Sequence, residues 1–199
     1  VTIFPRLPFL AALALLTVLL AACGQHQFSG TVIDPPKPAK DFTITDASGR
    51  PFTLSAQKGN VVALFFGFTN CPDVCPTELA DLAAVKRRLG ADGERLKVAV
   101  ISVDPERDTP ERMARYVTSF DPSFTGLRAD RPQLDALMKD YGVTAILHEL
   151  PGSALGYTVD HSAFLYIIDK QGNLRMLFSH GSSLDGMTSD LRYLIREGG

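Results

Sequence analysis

Tryptophan is absent from this 199-residue chain, and cysteine is scarce, at three residues. Three cysteines cannot build the disulfide framework on which small secreted domains lean when they lack a core. Nor is one needed, because 45% of the residues are hydrophobic and can bury a core without staples. No long basic run occurs and the formal net charge is -2. That excludes the electropositive face on which nucleic-acid binding normally depends. No internal repeat is present, which excludes solenoids and arrays. The length suits one domain with appendages.

The N-terminus reads as a targeting segment. Arg6 is followed by an apolar run from Leu7 to Leu20, broken only by Pro8 and Thr17. The run is short of the ~20 residues of a spanning helix. It ends in Leu20-Ala21-Ala22-Cys23, which resembles the bacterial lipobox. The expectation is a lipoprotein signal peptide over residues 1–22 and a lipidated Cys23 as the mature N-terminus, on the extracytoplasmic, periplasmic face of a bacterial membrane. Several acyl chains on one residue anchor stably, at about 0.8 kcal/mol per buried methylene. Residues 23–40, with Pro35, Pro36 and Pro38, read as a lipid-anchored tether. Only Cys71 and Cys75 then remain, in a compartment where disulfides persist.

Beyond the tether the pattern alternates between strand and helix. Asp41–Thr45 and Pro51–Leu54 flank Ala47-Ser48-Gly49 as an N-terminal hairpin. Val61–Phe68 and Leu96–Val103 are apolar runs of the kind found in strands buried on both faces. Helices are expected over Pro76–Leu89, over Pro110–Phe120 with Thr109 as N-cap, over Leu134–Tyr141 and over Ser183–Ile195. Thr144–Leu150 is a short strand candidate. A strand within Tyr157–Asp169 and its partner Leu174–Phe178 flank a turn at 170–173. This order predicts an α/β, thioredoxin-like fold over residues 41–197, with a central mixed sheet flanked by helices.

In that fold the reactive cysteines sit between the first central strand and the next helix, where Asn70-Cys71-Pro72-Asp73-Val74-Cys75-Pro76 lies. Proline is tolerated in the first turn of a helix and not deeper, so the helix is expected to start at Pro76, with Cys75 near its N-cap. The free N–H groups and positive dipole end there favour thiolate, which makes both sulfurs candidates for reactivity. The spacing is C-x-x-x-C, one residue more than in thioredoxin-type enzymes. Both sulfurs can then turn to a third object, and two thiolates are soft ligands suited to copper(I) or zinc. A third ligand would come from the four histidines. His26 lies in the tether and reads as solvated. His148 sits near a strand end, and His180 near a turn is the runner-up. His161 precedes the apolar run Ala163–Ile168, on a loop expected beside the cysteines. Asp160 is the candidate acceptor to orient its imidazole. The run Asp104–Thr109 reads as a helix-capping loop or a rim that meets a partner.

Three segments together carry a family resemblance: G-F-T-N-C-P-D-V-C-P-T-E-L (67–79), I-S-V-D-P-E-R-D-T-P (101–110) and Y-T-V-D-H-S-A-F-L-Y-I-I-D (157–169). They look like the Sco/SenC family over roughly residues 38–197. The resemblance implies a thioredoxin-like copper-binding domain with Cys71, Cys75 and His161 as ligands to one copper, Cu(I) and/or Cu(II). It implies work on the dinuclear copper centre of cytochrome c oxidase subunit II, as copper carrier, thiol reductant or both, with other copper carriers as further partners. Cys71 and Cys75 would double as a redox disulfide, whose closure destroys the metal site. No catalytic residue is assigned, and an enzyme is not the first expectation.

Two enzymes compete. Cys75-Pro76-Thr77-Glu78 resembles the peroxiredoxin segment, but those thiol peroxidases place threonine where Pro72 stands. Glutathione peroxidases use a tryptophan, which this chain lacks. A protein thiol-disulfide oxidoreductase of the thioredoxin kind would present a cis-proline opposite the cysteines, yet the last proline is Pro151.

Overall fold

The computed structural model describes residues 26–197. Among the described residues, ten strands and four α-helices follow in chain order. The strands are β1 (Thr31–Pro38), β2 (Thr43–Thr45), β3 (Pro51–Thr53), β4 (Val61–Gly67), β5 (Leu96–Ser102), β6 (Thr125–Leu127), β7 (Ala145–Glu149), β8 (Tyr157–His161), β9 (Phe164–Ile168) and β10 (Asn173–Ser179). The helices are α1 (Val74–Leu89), α2 (Pro110–Thr118), α3 (Arg131–Tyr141) and α4 (Leu184–Arg196). Among the described residues no helix is long and apolar enough to cross a membrane.

The central sheet has six strands in the order β1-β10-β9-β4-β5-β6. Its β4-β5-β6 half is parallel, and β9, β10 and β1 add antiparallel pairings. All seven residues of β4 are buried, as the unbroken apolar run requires for a strand covered on both faces. Successive strand residues face opposite sides. Phe66 packs with Tyr141 of α3, whereas Gly67 lies against Cys75 of α1, so the two helices cover opposite faces. The expected thioredoxin-like α/β arrangement is thus present, and β2 and β3 form the N-terminal hairpin in the register Thr43 to Thr53 and Thr45 to Pro51.

Four expectations need correction. Thr31–Pro38 is not tether but the edge strand β1, paired with β10. Its prolines are tolerated because an edge strand has one side free of ladder bonds, and the register jumps between Val32 and Lys37 around them. His26, expected in solvent, is bonded to the buried Asp190. The first helix begins at Val74 rather than Pro76, which leaves Pro76 in its first turn. The Tyr157–Asp169 stretch holds two strands that serve different sheets, because β8 pairs with β7 in a separate hairpin while β9 enters the central sheet.

Candidate metal centre

Three elements bring three candidate ligand side chains to one point. Cys71 lies in the loop after β4, Cys75 in the first turn of α1, and His161 ends β8. One ligand atom from each lies within 4.8 Å of the others. A three-coordinate ion with bonds of roughly 2.0–2.3 Å holds its ligands about 3.5–4 Å apart, so the cluster fits an ion after small side-chain adjustments. His180, the alternative ligand, is instead held by Glu78 at 2.8 Å.

The helix terminus and the cysteines serve one another. The N-cap residue Asp73 makes no side-chain cap, and the N–H of Cys75 donates to Cys71 Sγ at 3.3 Å. A sulfur therefore takes the place of the usual capping oxygen. Cys71 is half-buried, while Cys75 is 1% exposed. Both are free thiols. The hydrogen bond from Cys75, with help from the Cys75 and Asp73 amides, holds the Cys71 thiol well below its ordinary range against the opposing effect of burial. The same interaction with Cys71, together with burial, pushes the Cys75 thiol up. The metal-free pair thus keeps one proton, on Cys75, and presents Cys71 as thiolate. Of the two sulfurs expected as candidates for reactivity, Cys71 is thus the thiolate and Cys75 the protonated partner.

His161 is oriented by its own chain. Its Nδ1 lies 3.1 Å from the carbonyl oxygen of Ser162, which can only accept, so Nδ1 carries the proton. Nε2 is left with its lone pair facing Cys75 Sγ at 3.5 Å. Phe65 and Phe68 stand edge-on to the ring at 5.9 and 5.8 Å. Asp160 does not orient this imidazole. It points to His148, 2.9 Å away on the neighbouring strand, with 74% of its side chain exposed. The cluster opens into a cleft of about 310 Å³ whose walls include Pro72, Asp73, Thr158 and Ala163.

The Asp104–Thr109 loop does more than cap α2, although Thr109 does accept from the Arg112 N–H. Asp108 is 1% exposed and accepts from the N–H and hydroxyl of Thr69 and from the hydroxyl of Ser102. Asp104, 2% exposed, accepts from the Tyr157 hydroxyl at 2.6 Å and from Arg107. Arg107 lies over the Tyr157 ring at 3.6 Å and donates to the carbonyls of Leu155 and Tyr157. One loop thus grips the chain two residues before Cys71 and four before His161. Acids in a loop normally signal solvation, so the sequence holds no direct sign of these buried roles.

Comparison with known proteins agrees with this geometry. The SCO1/SenC family matches residues 31–196. The mitochondrial protein SCO2 of Saccharomyces cerevisiae is 38% identical over 133 residues, which is 66% of this chain and 44% of that protein. The chain thus spans less than half the length of that relative. The solution structure of apo Sco1 from Thermus thermophilus matches with a TM-score of 0.76 at 39% identity, covering 86% of this chain and 99% of that one. Bradyrhizobium japonicum ScoI with copper bound matches with a TM-score of 0.71 at 36% identity, covering 79% and 99%. With the family pattern present from β1 to the end of α4 and the Cys-Cys-His cluster at its centre, the chain belongs to the SCO1/SenC family.

Proposed function

We propose that this protein is a membrane-anchored, extracytoplasmic copper-binding protein that helps assemble the dinuclear copper site of cytochrome c oxidase. The cluster of Cys71, Cys75 and His161 at the head of a cleft carries this reading. Two thiolates and a neutral imidazole form a soft donor set suited to one copper(I), and an added ligand would accommodate copper(II). The related Bradyrhizobium structure contains copper. Copper here is cargo: the open cleft leaves a partner's donors a path to it. Subunit II of the oxidase and other copper carriers are the proposed partners, and Cys23, which lies outside the described residues, is the proposed lipid anchor on the periplasmic face.

Thiol chemistry is a second reading, favoured by the unequal cysteines. The Cys71 thiolate would attack a partner disulfide and release one partner thiolate. Cys75 would then give up its proton and attack Cys71 Sγ, which releases the second partner thiol and leaves a Cys71–Cys75 disulfide. The partner gains the two electrons that this chain loses.

The deciding experiment is copper titration of the reduced protein with X-ray absorption at the copper edge. One copper per chain with two sulfurs and one nitrogen is expected, and His161→Ala should lose the nitrogen and most of the affinity. Full-affinity binding by His161→Ala would overturn the ligand set. Reduction of a disulfide substrate that survives in that variant would instead place the thiol role first.

A further inference from the structure

Residues 26–30 are clasped to the last helix, far from the metal cluster. Asp190 of α4 is completely buried and accepts from the backbone N–H of Ser29 at 2.8 Å and of Gly30 at 3.0 Å. Its other oxygen meets His26 Nε2 at 2.8 Å. The His26 ring stacks on Tyr193 at 4.4 Å between centroids, and Phe28 meets both edge-on. A buried carboxylate that binds two amides and a ring is a fastening for this segment, not a surface contact.

The fastening shortens the anchor. Cys23 lies three positions before His26, and three residues reach at most about 11 Å. A tether of eighteen residues would let the domain swing freely; three do not. We propose that the outer face of α4 around His26, Arg192, Tyr193 and Arg196 rests on the phospholipid headgroups of the membrane that holds the Cys23 lipid, so that the domain has one preferred orientation. This rests on the lipid-anchor reading above.

The chemistry of the face suits that occupant. Tyr193 is 36% exposed and offers an aromatic body with a polar tip, the kind of side chain that settles at a bilayer interface. The Arg196 side chain is 65% exposed and Arg192 35%, and guanidinium groups bind phosphate in paired hydrogen bonds. Asp92 pairs with Arg196 at 2.8 Å and lies 4.0 Å from Arg192, and Glu197 pairs with Arg175 at 3.5 Å, so a headgroup phosphate takes the guanidinium N–H groups that these pairs leave over. A hollow of about 370 Å³ lined by His26, Ser189, Arg192, Tyr193, Arg196 and Glu197 has room for a headgroup. The orientation has a consequence for the metal site. Arg192 donates to the carbonyl of Arg88, which lies thirteen positions after Cys75 on α1. Thirteen residues of helix separate Cys75 from Arg88 by about 20 Å, so the copper ligands lie well away from this face.

The absence of tryptophan makes the test clean, because Tyr193→Trp and Leu155→Trp each create a single reporter. Leu155 is 48% exposed on the hairpin connection near the cleft. Full-length lipidated protein would be inserted into vesicles of phosphatidylethanolamine and phosphatidylglycerol carrying a headgroup-spin-labelled lipid. Quenching several-fold stronger for the Tyr193→Trp reporter is expected. A flexible Gly-Ser insert of ~10 residues after Gly24, adding roughly 17 Å of reach, should bring it towards the Leu155→Trp level. The mass of the N-terminal peptide separates the two ways to fail. Acylated, vesicle-bound protein with equal quenching at both positions overturns the docked face and leaves the anchor standing. An unacylated Cys23 overturns the anchor and the docked face with it.

Discussion

Cys71 and Cys75 are four positions apart, yet one lines the cleft and the other is sealed beneath it. Iodoacetamide should therefore alkylate Cys71 at least ~10-fold faster than Cys75 in the reduced, metal-free protein. The sign of the pH effect follows from the direction of the shift. The Cys71 thiol sits below its ordinary value of 9.0, so the thiolate persists at neutral pH and disappears only as the pH falls through the lowered value, about 4. Its alkylation rate should stay level from weakly alkaline to weakly acidic solution, as followed by peptide mass spectrometry. A rate that climbs in step with pH up to 9.0 would contradict this assignment. Gly67 bears on the same sulfurs. A Cβ there would stand 2.7 Å from the Phe65 ring and 3.2 Å from Cys75 Sγ. Gly67→Ala should cost about 1–3 kcal/mol of stability by overpacking. By displacing Cys75 it should also lower copper affinity, by about 10-fold or more as for other changes in groups that position ligands.

At the scale of elements, the Asp104–Thr109 loop is the brace between the two halves of the site. Asp108→Ala leaves the amide of half-buried Thr69 and two hydroxyls without their acceptor, which should cost about 1–3 kcal/mol in urea unfolding and quicken copper release. Tyr157 ties the β7–β8 hairpin to this loop. Burial, and then the hydrogen bond it donates to Asp104, pushes its hydroxyl up from 10.0 to about 12. A raised folded-state value means that the contribution is whole below the unfolded value and is lost as pH rises through the folded one. Tyr157→Phe should remove the part of the alkaline stability loss that falls between those two values. Hydrogen exchange of the Thr158 and Val159 amides in the variant should be faster at neutral pH, since the hairpin has lost one tie. Unchanged exchange there would show that Arg107 alone holds the hairpin.

For the whole molecule, the proposed copper binding would link thiol oxidation to stability. On the proposed function, copper would bind the folded, reduced chain and have no comparable site once Cys71 and Cys75 were joined. At a free concentration 100-fold above its dissociation constant it should stabilise the fold by about 2.7 kcal/mol. For a domain of this size that corresponds to a rise in Tm of about 5–10 °C. Calorimetry of reduced protein with and without copper should show the rise, and the oxidised protein should show none. An equal rise in the oxidised protein would place the metal elsewhere.

The amino-acid sequence by itself determined the alternation of strand and helix, the buried central strands and the two cysteines at the head of α1. These are local matters: an apolar run, a proline in a first turn and a four-residue spacing act within a few bonds. His161 was also legible, because it stands just before an apolar run. Tertiary structure alone decided the rest. Asp160 and His161 are neighbours in one strand, so they face opposite sides, and only the pairing of β8 with β7 gave Asp160 to His148. Thr31–Pro38 reads as tether because prolines weaken a strand, and it became one only because β10 offered an edge. Asp104 and Asp108 read as parts of a capping loop or rim and nothing in the sequence singles out Asp190, yet each is buried on partners from other segments of the chain. A buried carboxylate is stable only where donors converge on it, and that convergence is a property of the fold that no short stretch of sequence contains.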